Sequence, residues 1–232
     1  MSTENKLQIR MPPVKMAIIF DQVLSVGGGF QQSLNMLELF KSLNKEYCEP
    51  IFFTTHYENL ELLSSFEIDA IYLKTSRISR LLLRIRGSIS STHFVKLIQK
   101  LFGFNSFESQ LMKYSIDLVY FISPSSWSNY LERLNYVITV WDLCHRDYPE
   151  FPEVRIDRTF ESRENSFKKN LIKSTAVIVD SELGKSNIIK RYGLDEKRVY
   201  VLPFSESLNI NKQINLSAHN LIDVKKKYSI NS

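Results

Sequence analysis

Seven short apolar runs recur along this chain of 232 residues, and most of them are rich in β-branched side chains. Amphipathic segments of helical length separate most of the runs. Apolar runs with little polar alternation that alternate with helices are typical of parallel strands buried on both faces. The pattern predicts an α/β fold with a doubly wound parallel sheet. The predicted strands are 14–20, 50–54, 69–73, 117–122, 136–140, 176–180 and 198–203.

The same pattern divides the chain into three parts. Residues 1–13 are polar and contain a Pro pair, which predicts a disordered or extended N-terminus rather than a signal peptide. Residues 14–204 are predicted to form one Rossmann-like domain. Residues 205–232, rich in Asn, Ser and Lys, are interpreted as a linker or tail towards a missing C-terminal domain.

Hydropathy and cysteine content indicate where such a chain resides. No apolar run approaches the ~20 residues that a membrane-spanning helix needs, so we expect a soluble protein. Two cysteines are too few for a disulfide framework, and they suit a reducing cytoplasm.

Basic residues are concentrated between Lys74 and Gly103, where seven Lys and Arg side chains occur without any acidic residue. Arg77, Arg80 and Arg84 share one stripe of a predicted helix that also has an apolar face. Such a helix either lies on an anionic membrane surface, at the inner face of the plasma membrane, or packs on its own sheet with Arg facing water. Both interpretations stay open. We expect no nucleic-acid partner, since no aromatic residues are interleaved with these Arg residues.

A glycine triplet, Gly27, Gly28 and Gly29, follows the first predicted strand and precedes a predicted helix. Glycines allow backbone N–H groups to approach an anion closely at a helix N-terminus. The triplet is not a P-loop, and Gln32 stands where the dinucleotide fingerprint needs its third glycine. It is therefore either a diphosphate-binding turn or a flexible strand-to-helix connection.

The second polar cluster, 141–153, begins where the fifth predicted strand ends. It contains Trp141, Asp142, His145, Arg146 and Asp147, a density of charge that packing alone does not require. His145 is suited to bond a sugar hydroxyl or a phosphate, and Asp142 to orient it or to accept a proton from a substrate hydroxyl. The alternative is a surface turn whose charges pair with one another. A metal site is less well supported, because a third ligand is lacking nearby.

The third cluster, Asp180-Ser181-Glu182, follows the sixth predicted strand. An N-cap at Ser181 or Asp180 with an acidic first turn explains it structurally. Its position after a strand also places Ser181 and Glu182 among the residues expected to line a cleft at the edge of the sheet.

Together these segments resemble the N-terminal, acceptor-side domain of the family 4 retaining glycosyltransferases, which have the two-domain GT-B architecture. Three segments carry the resemblance: Gly27-Gly28-Gly29-Phe30 after the first strand, 140–154 and 176–182. The middle segment is similar to the mannosyltransferase-like branch that builds O-antigen and other surface polysaccharides.

The resemblance implies a site and a reaction. It implies transfer of a sugar from a nucleotide-sugar donor, with GDP-mannose favoured, to a glycan or lipid-linked acceptor, without a metal or other cofactor. The glycine turn would approach the donor diphosphate, Asp142 and His145 would be catalytic, and Trp141, Arg146, Asp147, Ser181 and Glu182 would line the cleft. Relatives often carry His at the position of Trp141, so that role of His is not transferred.

In this family a second Rossmann-like domain holds most of the nucleotide site, so the lone chain is expected to be truncated, or half of a split enzyme, and inactive alone. A non-catalytic module that binds a glycan or a lipid carrier is the alternative. A sugar-nucleotide epimerase is a second alternative, against which the incomplete dinucleotide fingerprint argues.

Overall fold

The computed structural model describes residues 12–25, 29–74 and 106–204, and within these residues seven parallel strands form one sheet. The strands are β1 (Val14–Phe20), β2 (Cys48–Thr54), β3 (Ala70–Tyr72), β4 (Leu118–Phe121), β5 (Asn135–Val140), β6 (Ala176–Val179) and β7 (Val199–Val201). The predicted α/β fold is confirmed, and each predicted run overlaps one strand.

The helices of the described residues flank this sheet. They are α1 (Gly29–Ser42), α2 (Asn59–Ser65), α3 (Ser106–Met112), α4 (Cys144–Asp147), α5 (Pro152–Arg155), α6 (Thr159–Lys173) and α7 (Glu182–Tyr192), with short 3-10 turns at Ser126–Tyr130, Ile156–Arg158 and Glu196–Arg198. None of these described helices is long and apolar enough to cross a membrane.

Alternation along each strand builds two hydrophobic cores, one on each face of the sheet. Ala17 and Ile19 of β1 face the core formed with α3, α6 and α7, whereas Ile18 and Phe20 face the core formed with α1 and α2. Fully burying one such large apolar side chain contributes about 1.5–3 kcal/mol. Both faces of β1 are therefore buried in the interior of the protein.

The order of the strands, β3-β2-β1-β4-β5-β6-β7, determines where a ligand can bind. The chain builds outwards from β1 to β3 and then returns to place β4 on the other side of β1. At such a switch point the connections after neighbouring strands diverge to opposite faces and leave a crevice at the carboxyl edge. The loops that follow β1, β4 and β5 border this crevice.

Several predicted features lie outside the described residues. They are the glycines Gly27 and Gly28, the basic residues Arg77, Arg80 and Arg84, and both terminal segments, 1–11 and 205–232. The predicted helix after the glycines begins at Gly29 and ends at Ser42, and its apolar stripe is buried at Leu34, Leu37 and Phe40.

Candidate functional site

Gly29, the last residue of the glycine triplet, and Trp141, the first residue of the 141–153 cluster, meet at the carboxyl edge of the sheet. Gly29 begins α1, and a Cβ atom built on it would lie 2.4 Å from Cη2 and 2.6 Å from Cζ3 of Trp141. Carbon atoms pack no closer than about 3.5 Å, so the indole occupies space that only glycine leaves free. Two segments separated by more than one hundred residues are thereby brought into direct contact.

A cleft of about 380 Å³ opens beside this contact. Its walls come from the β1–α1 turn at Gln22, from the loop after β4 at Ser126, from the loop after β5 at Trp141 and Asp142, and from α6. Three strand ends and one helix thus form a single concave surface at the switch point, where open α/β sheets bind their ligands.

Asp142 and Arg163 form an ion pair in the wall of the cleft. Arg163 Nη2 donates to Asp142 Oδ1 at 2.6 Å, and the backbone N–H of Cys144 donates to the same oxygen at 2.9 Å. Partial burial opposes ionisation of Asp142, but the Cys144 amide and the Arg163 guanidinium outweigh it and hold the pKa of Asp142 below its ordinary value. Asp142 is therefore a stable carboxylate, and a weak proton acceptor.

His145 lies beneath the loop, with a side chain that is 0% exposed. Its Nε2 is 3.2 Å from Glu164 Oε2 and 3.2 Å from the Tyr192 hydroxyl oxygen. Because a carboxylate only accepts hydrogen bonds, Nε2 carries the proton that faces Glu164. Burial first, and then the nearby Arg163 charge, lower the pKa of His145, so the buried imidazole is neutral near pH 7. Its catalytic role stays a prediction, and the structure places it under the loop rather than in the cleft.

Glu164 is the centre of the polar cluster around His145. Arg146 donates to both of its oxygens, from Nε at 2.8 Å and from Nη2, and Tyr192 donates to Oε2 at 3.0 Å. Lys168 adds an ion pair at 3.0 Å. The pKa of Glu164 lies far below its ordinary value, chiefly because of the hydrogen bond from Arg146, while burial of the carboxylate opposes this shift. The cluster ties the loop after β5 to α6 and α7.

The other predicted cleft residues take part in structural contacts. Asp147 pairs with Arg191 of α7, and Arg146 points at Glu164. Ser181 Oγ accepts the Gly184 N–H at 3.1 Å, so Ser181, one of the two predicted candidates, is the N-cap of α7. None of these side chains lines the cleft described above, nor does Glu182. Their contact with a ligand stays a prediction.

Asn59 and Asp21 position the β1–α1 turn, and sequence analysis missed both. Asn59, 1% exposed, accepts the Leu24 N–H at 2.9 Å and donates to the Gln22 carbonyl at 2.8 Å. Asp21 accepts the Ser123 hydroxyl at 2.6 Å, which connects the ends of β1 and β4. Burial raises the pKa of Asp21, opposed by that hydrogen bond. The sequence does hold a sign of the role of Asp21, which is a charged residue directly after a buried strand. No comparable feature of the sequence pointed to Asn59 or Arg163.

Two other cavities lie near the described helices. One of about 150 Å³ also borders Trp141 and lies between α1 and the residues that follow β7. A larger one of about 560 Å³ is lined by Pro13, Glu49 and Pro50 at the amino ends of β1 and β2. Volume favours the larger cavity, but the sheet topology favours the carboxyl edge. Within the described ranges no group of three or more His, Cys, Asp or Glu side chains is arranged to hold a metal ion.

Comparisons with known proteins support the fold. No protein-family model matches the sequence, and no curated protein matches it. The structure is similar to a UDP-N-acetylglucosamine 2-epimerase from Rickettsia bellii, with 13% identity, a TM-score of 0.52 and coverage of 95% of this chain and 52% of that one. It is also similar to a UDP-GlcNAc 2-epimerase from Neisseria meningitidis bound to UDP-GlcNAc, with 14% identity, a TM-score of 0.50 and coverage of 94% and 54%.

A glycosyltransferase from Rickettsia africae is a further match, with 15% identity, a TM-score of 0.48 and coverage of 95% and 50%. At such identities the similarity shows the fold, which is a Rossmann-like α/β fold of the GT-B kind. The chain spans about half the length of each of these structures.

Proposed function

We propose that this chain is a sugar-nucleotide-processing domain of the GT-B kind, and that it takes part in the transfer of a sugar from a nucleotide donor to a glycan or lipid-linked acceptor. One observation carries the proposal. The Trp141 indole lies against Gly29 and borders a cleft that also contains the Asp142–Arg163 pair, at the switch point of the sheet. An aromatic surface, a carboxylate, a guanidinium and hydroxyls are groups that recognise sugars and hold them in place.

The two sides of this site are suited to different parts of a nucleotide sugar. The start of α1 at Gly29 supplies backbone N–H groups and the positive end of a helix, which favour a diphosphate. The cleft beside Trp141 supplies the hydrogen-bonding groups for a sugar. In this proposal Asp142 acts in the cleft as an ionised carboxylate that orients hydroxyls. His145 holds the loop from beneath as a positioning residue, since its side chain is fully buried.

The finer assignment comes from the sequence resemblance of 140–154 and extends the proposal. It is a retaining transferase of family 4 in the mannosyltransferase-like branch, with GDP-mannose as the donor, in surface polysaccharide synthesis at the cytoplasmic side of the membrane. A second Rossmann-like domain or a separate C-terminal half would complete the donor site, because a diphosphate left in water gains little electrostatic stabilisation. The proposal uses no metal or cofactor, so added chelator should leave turnover unchanged.

A second candidate function is sugar-nucleotide epimerisation. The structures with a TM-score of at least 0.50 that we describe are both UDP-GlcNAc 2-epimerases, and the fold does not separate them from transferases. UDP-GlcNAc is therefore tested beside GDP-mannose.

The experiment measures donor consumption and product identity. GDP-mannose and UDP-GlcNAc are each incubated with the chain alone and with an added GT-B C-terminal domain, and products are separated by mass and by sugar stereochemistry. Sugar transfer that needs both halves and is lost in Gly29→Val supports the proposal. Tyr47→Ala, at an exposed position preceding β2, is the control variant. An epimerised UDP-sugar would support the second candidate, and saccharide binding without turnover would leave a binding module.

A further inference from the structure

The cavity of about 560 Å³ at the amino ends of β1 and β2 lies at the opposite edge of the sheet from the Trp141 cleft. β1 has seven residues and a strand rises about 3.3 Å per residue, so roughly 20 Å separates the two sites. The volume lies within the roughly 300–1,000 Å³ that is typical of ligand pockets. The sugar-nucleotide chemistry proposed for the carboxyl edge makes no use of this cavity.

The floor of the cavity is apolar. Phe40, near the end of α1, and Phe52 of β2 are buried and belong to the hydrophobic core that the sheet forms with α1 and α2. Leu43 is half-buried and packs against the same core. A ligand group that enters here removes apolar surface from water, so the floor favours an apolar body such as a phenyl ring or a branched alkyl chain.

Two prolines limit what the backbone can contribute to recognition. Pro13 precedes β1 and Pro50 lies in β2, and both line the cavity without an N–H group to donate. β3 pairs with β2 only from Phe52 onwards, so Pro50 lies in the part of β2 that precedes this pairing. Proline at a sheet edge disfavours the addition of a further strand. The cavity therefore suits a small molecule held by side chains better than an extended peptide.

The exposed rim of the cavity carries two opposite charges. Lys45, in the connection after α1, and Glu49 of β2 both line the cavity. Within the part of the chain that the structure describes, neither side chain forms a hydrogen bond or an ion pair, so the two do not pair with each other. Lys41, in contrast, donates to the Phe66 carbonyl oxygen at 3.1 Å and lies 3.7 Å from Glu38 Oε1. The rim thus offers an ammonium and a carboxylate to a ligand.

We infer that this cavity binds a small zwitterion with a large apolar side group, which is the chemistry of a free aromatic or branched α-amino acid. The apolar group packs on Phe40 and Phe52, the carboxylate of the ligand meets Lys45, and its ammonium meets Glu49. Both rim charges then gain a partner, and no backbone donor is needed. Binding here is independent of the proposed function, because the cavity and the Trp141 cleft share none of the described residues that line them.

The test compares three probes that share a phenyl ring and differ in charge. They are L-phenylalanine, 3-phenylpropionate, which lacks the ammonium, and phenethylamine, which lacks the carboxylate. The methyl signals of Leu43 in nuclear magnetic resonance spectra report binding, and those of the exposed Leu183 in α7 are the reference. We expect L-phenylalanine to shift the Leu43 signals only, and to bind about threefold more tightly than either singly charged probe, because exposed ion pairs contribute modestly.

Variants that remove one charge assign each contact. Lys45→Gln should lower the affinity for L-phenylalanine about threefold and leave that for phenethylamine unchanged. Glu49→Gln should lower the affinity for L-phenylalanine by a similar factor and leave that for 3-phenylpropionate unchanged. Lys190→Gln, at an exposed position of α7, is the matched control and should change none of these affinities.

Three results would overturn the assignment. The Leu43 signals could fail to respond to L-phenylalanine, which would exclude the cavity as its site. The three probes could bind with equal affinity, which would exclude recognition of the two charges. L-Phenylalanine could also bind equally well to Lys45→Gln, Glu49→Gln and the wild type, which would show that these side chains do not contact the ligand.

Discussion

Replacing Gly29 by Ala tests the contact on which the site depends. The added methyl group would lie 2.4 Å and 2.6 Å from two indole carbons of Trp141, and 3.2 Å from Gln22 Oε1. Forcing a methyl group into a packed contact costs about 1–3 kcal/mol, whereas Ala in place of Gly in a helix contributes roughly 0.5–1 kcal/mol of stability. We therefore expect Gly29→Ala to lower the unfolding free energy by about 1 kcal/mol.

We expect Gly29→Ala to weaken sugar binding more than it lowers stability, because the strain is relieved when Trp141 rotates away from Gly29 and into the cleft. Urea unfolding gives the free energy, and the indole N–H spectrum reports the rotation. Gly184→Ala in α7 is the matched control, since its new Cβ would lie 3.0 Å from Asp180 Oδ1 and 3.2 Å from Ser181 Oγ, the ends of rotatable side chains.

The Gly29→Ala variant should thus shift the indole N–H resonance of Trp141 and weaken the binding of methyl α-mannopyranoside, while Gly184→Ala should do neither. If the Trp141 indole resonance and the affinity for methyl α-mannopyranoside are both unchanged in Gly29→Ala, the proposed role of the Gly29–Trp141 contact is refuted, because the indole would then not occupy the space above Gly29.

Two further predictions concern the support of the site. Asn59→Ala leaves the buried Leu24 N–H without its acceptor and removes two more hydrogen bonds, so urea unfolding should show an unfolding free energy lower by about 3 kcal/mol. A decrease below about 1 kcal/mol would contradict the stabilising role of these Asn59 hydrogen bonds. Acidification should also destabilise the protein. Burial lowers the pKa of His145 from 6.5, so the unfolded chain binds a proton more readily and the folded state loses stability below about pH 6.5. The Arg146 hydrogen bond lowers the pKa of Glu164 from 4.5, so a further loss of stability begins below about pH 4.5. The unfolding free energy of the wild type should fall between about pH 7.5 and about pH 4, and His145→Gln should remove the part of this fall that lies near about pH 6.5. An unfolding free energy of the wild type that does not change with pH would disprove the lowered pKa values of His145 and Glu164.

The seven strands were predictable because a strand buried on both faces needs a local apolar run, and local composition is visible in one dimension. Their ends match the prediction or differ from it by one or two residues. For example, β2 begins at Cys48 rather than Pro50, because pairing with β1 starts at Val14 opposite Cys48. The N-cap at Ser181 was predictable for the same reason, since its partner lies three residues away.

The meeting of Gly29 with the loop after β5 was expected only in outline, because carboxyl ends of parallel strands share one edge. Nothing local indicated that the Trp141 ring lies on Gly29 or that Arg163 pairs with Asp142. His145 lies in a polar segment of the sequence, yet its side chain is buried against α6 and α7. Short-range patterning thus accounts for the strands and the turns between them. The partners of the polar groups depend on which helices the strand order brings together, and burial and ion pairing between segments far apart in the chain exist only once that order has formed.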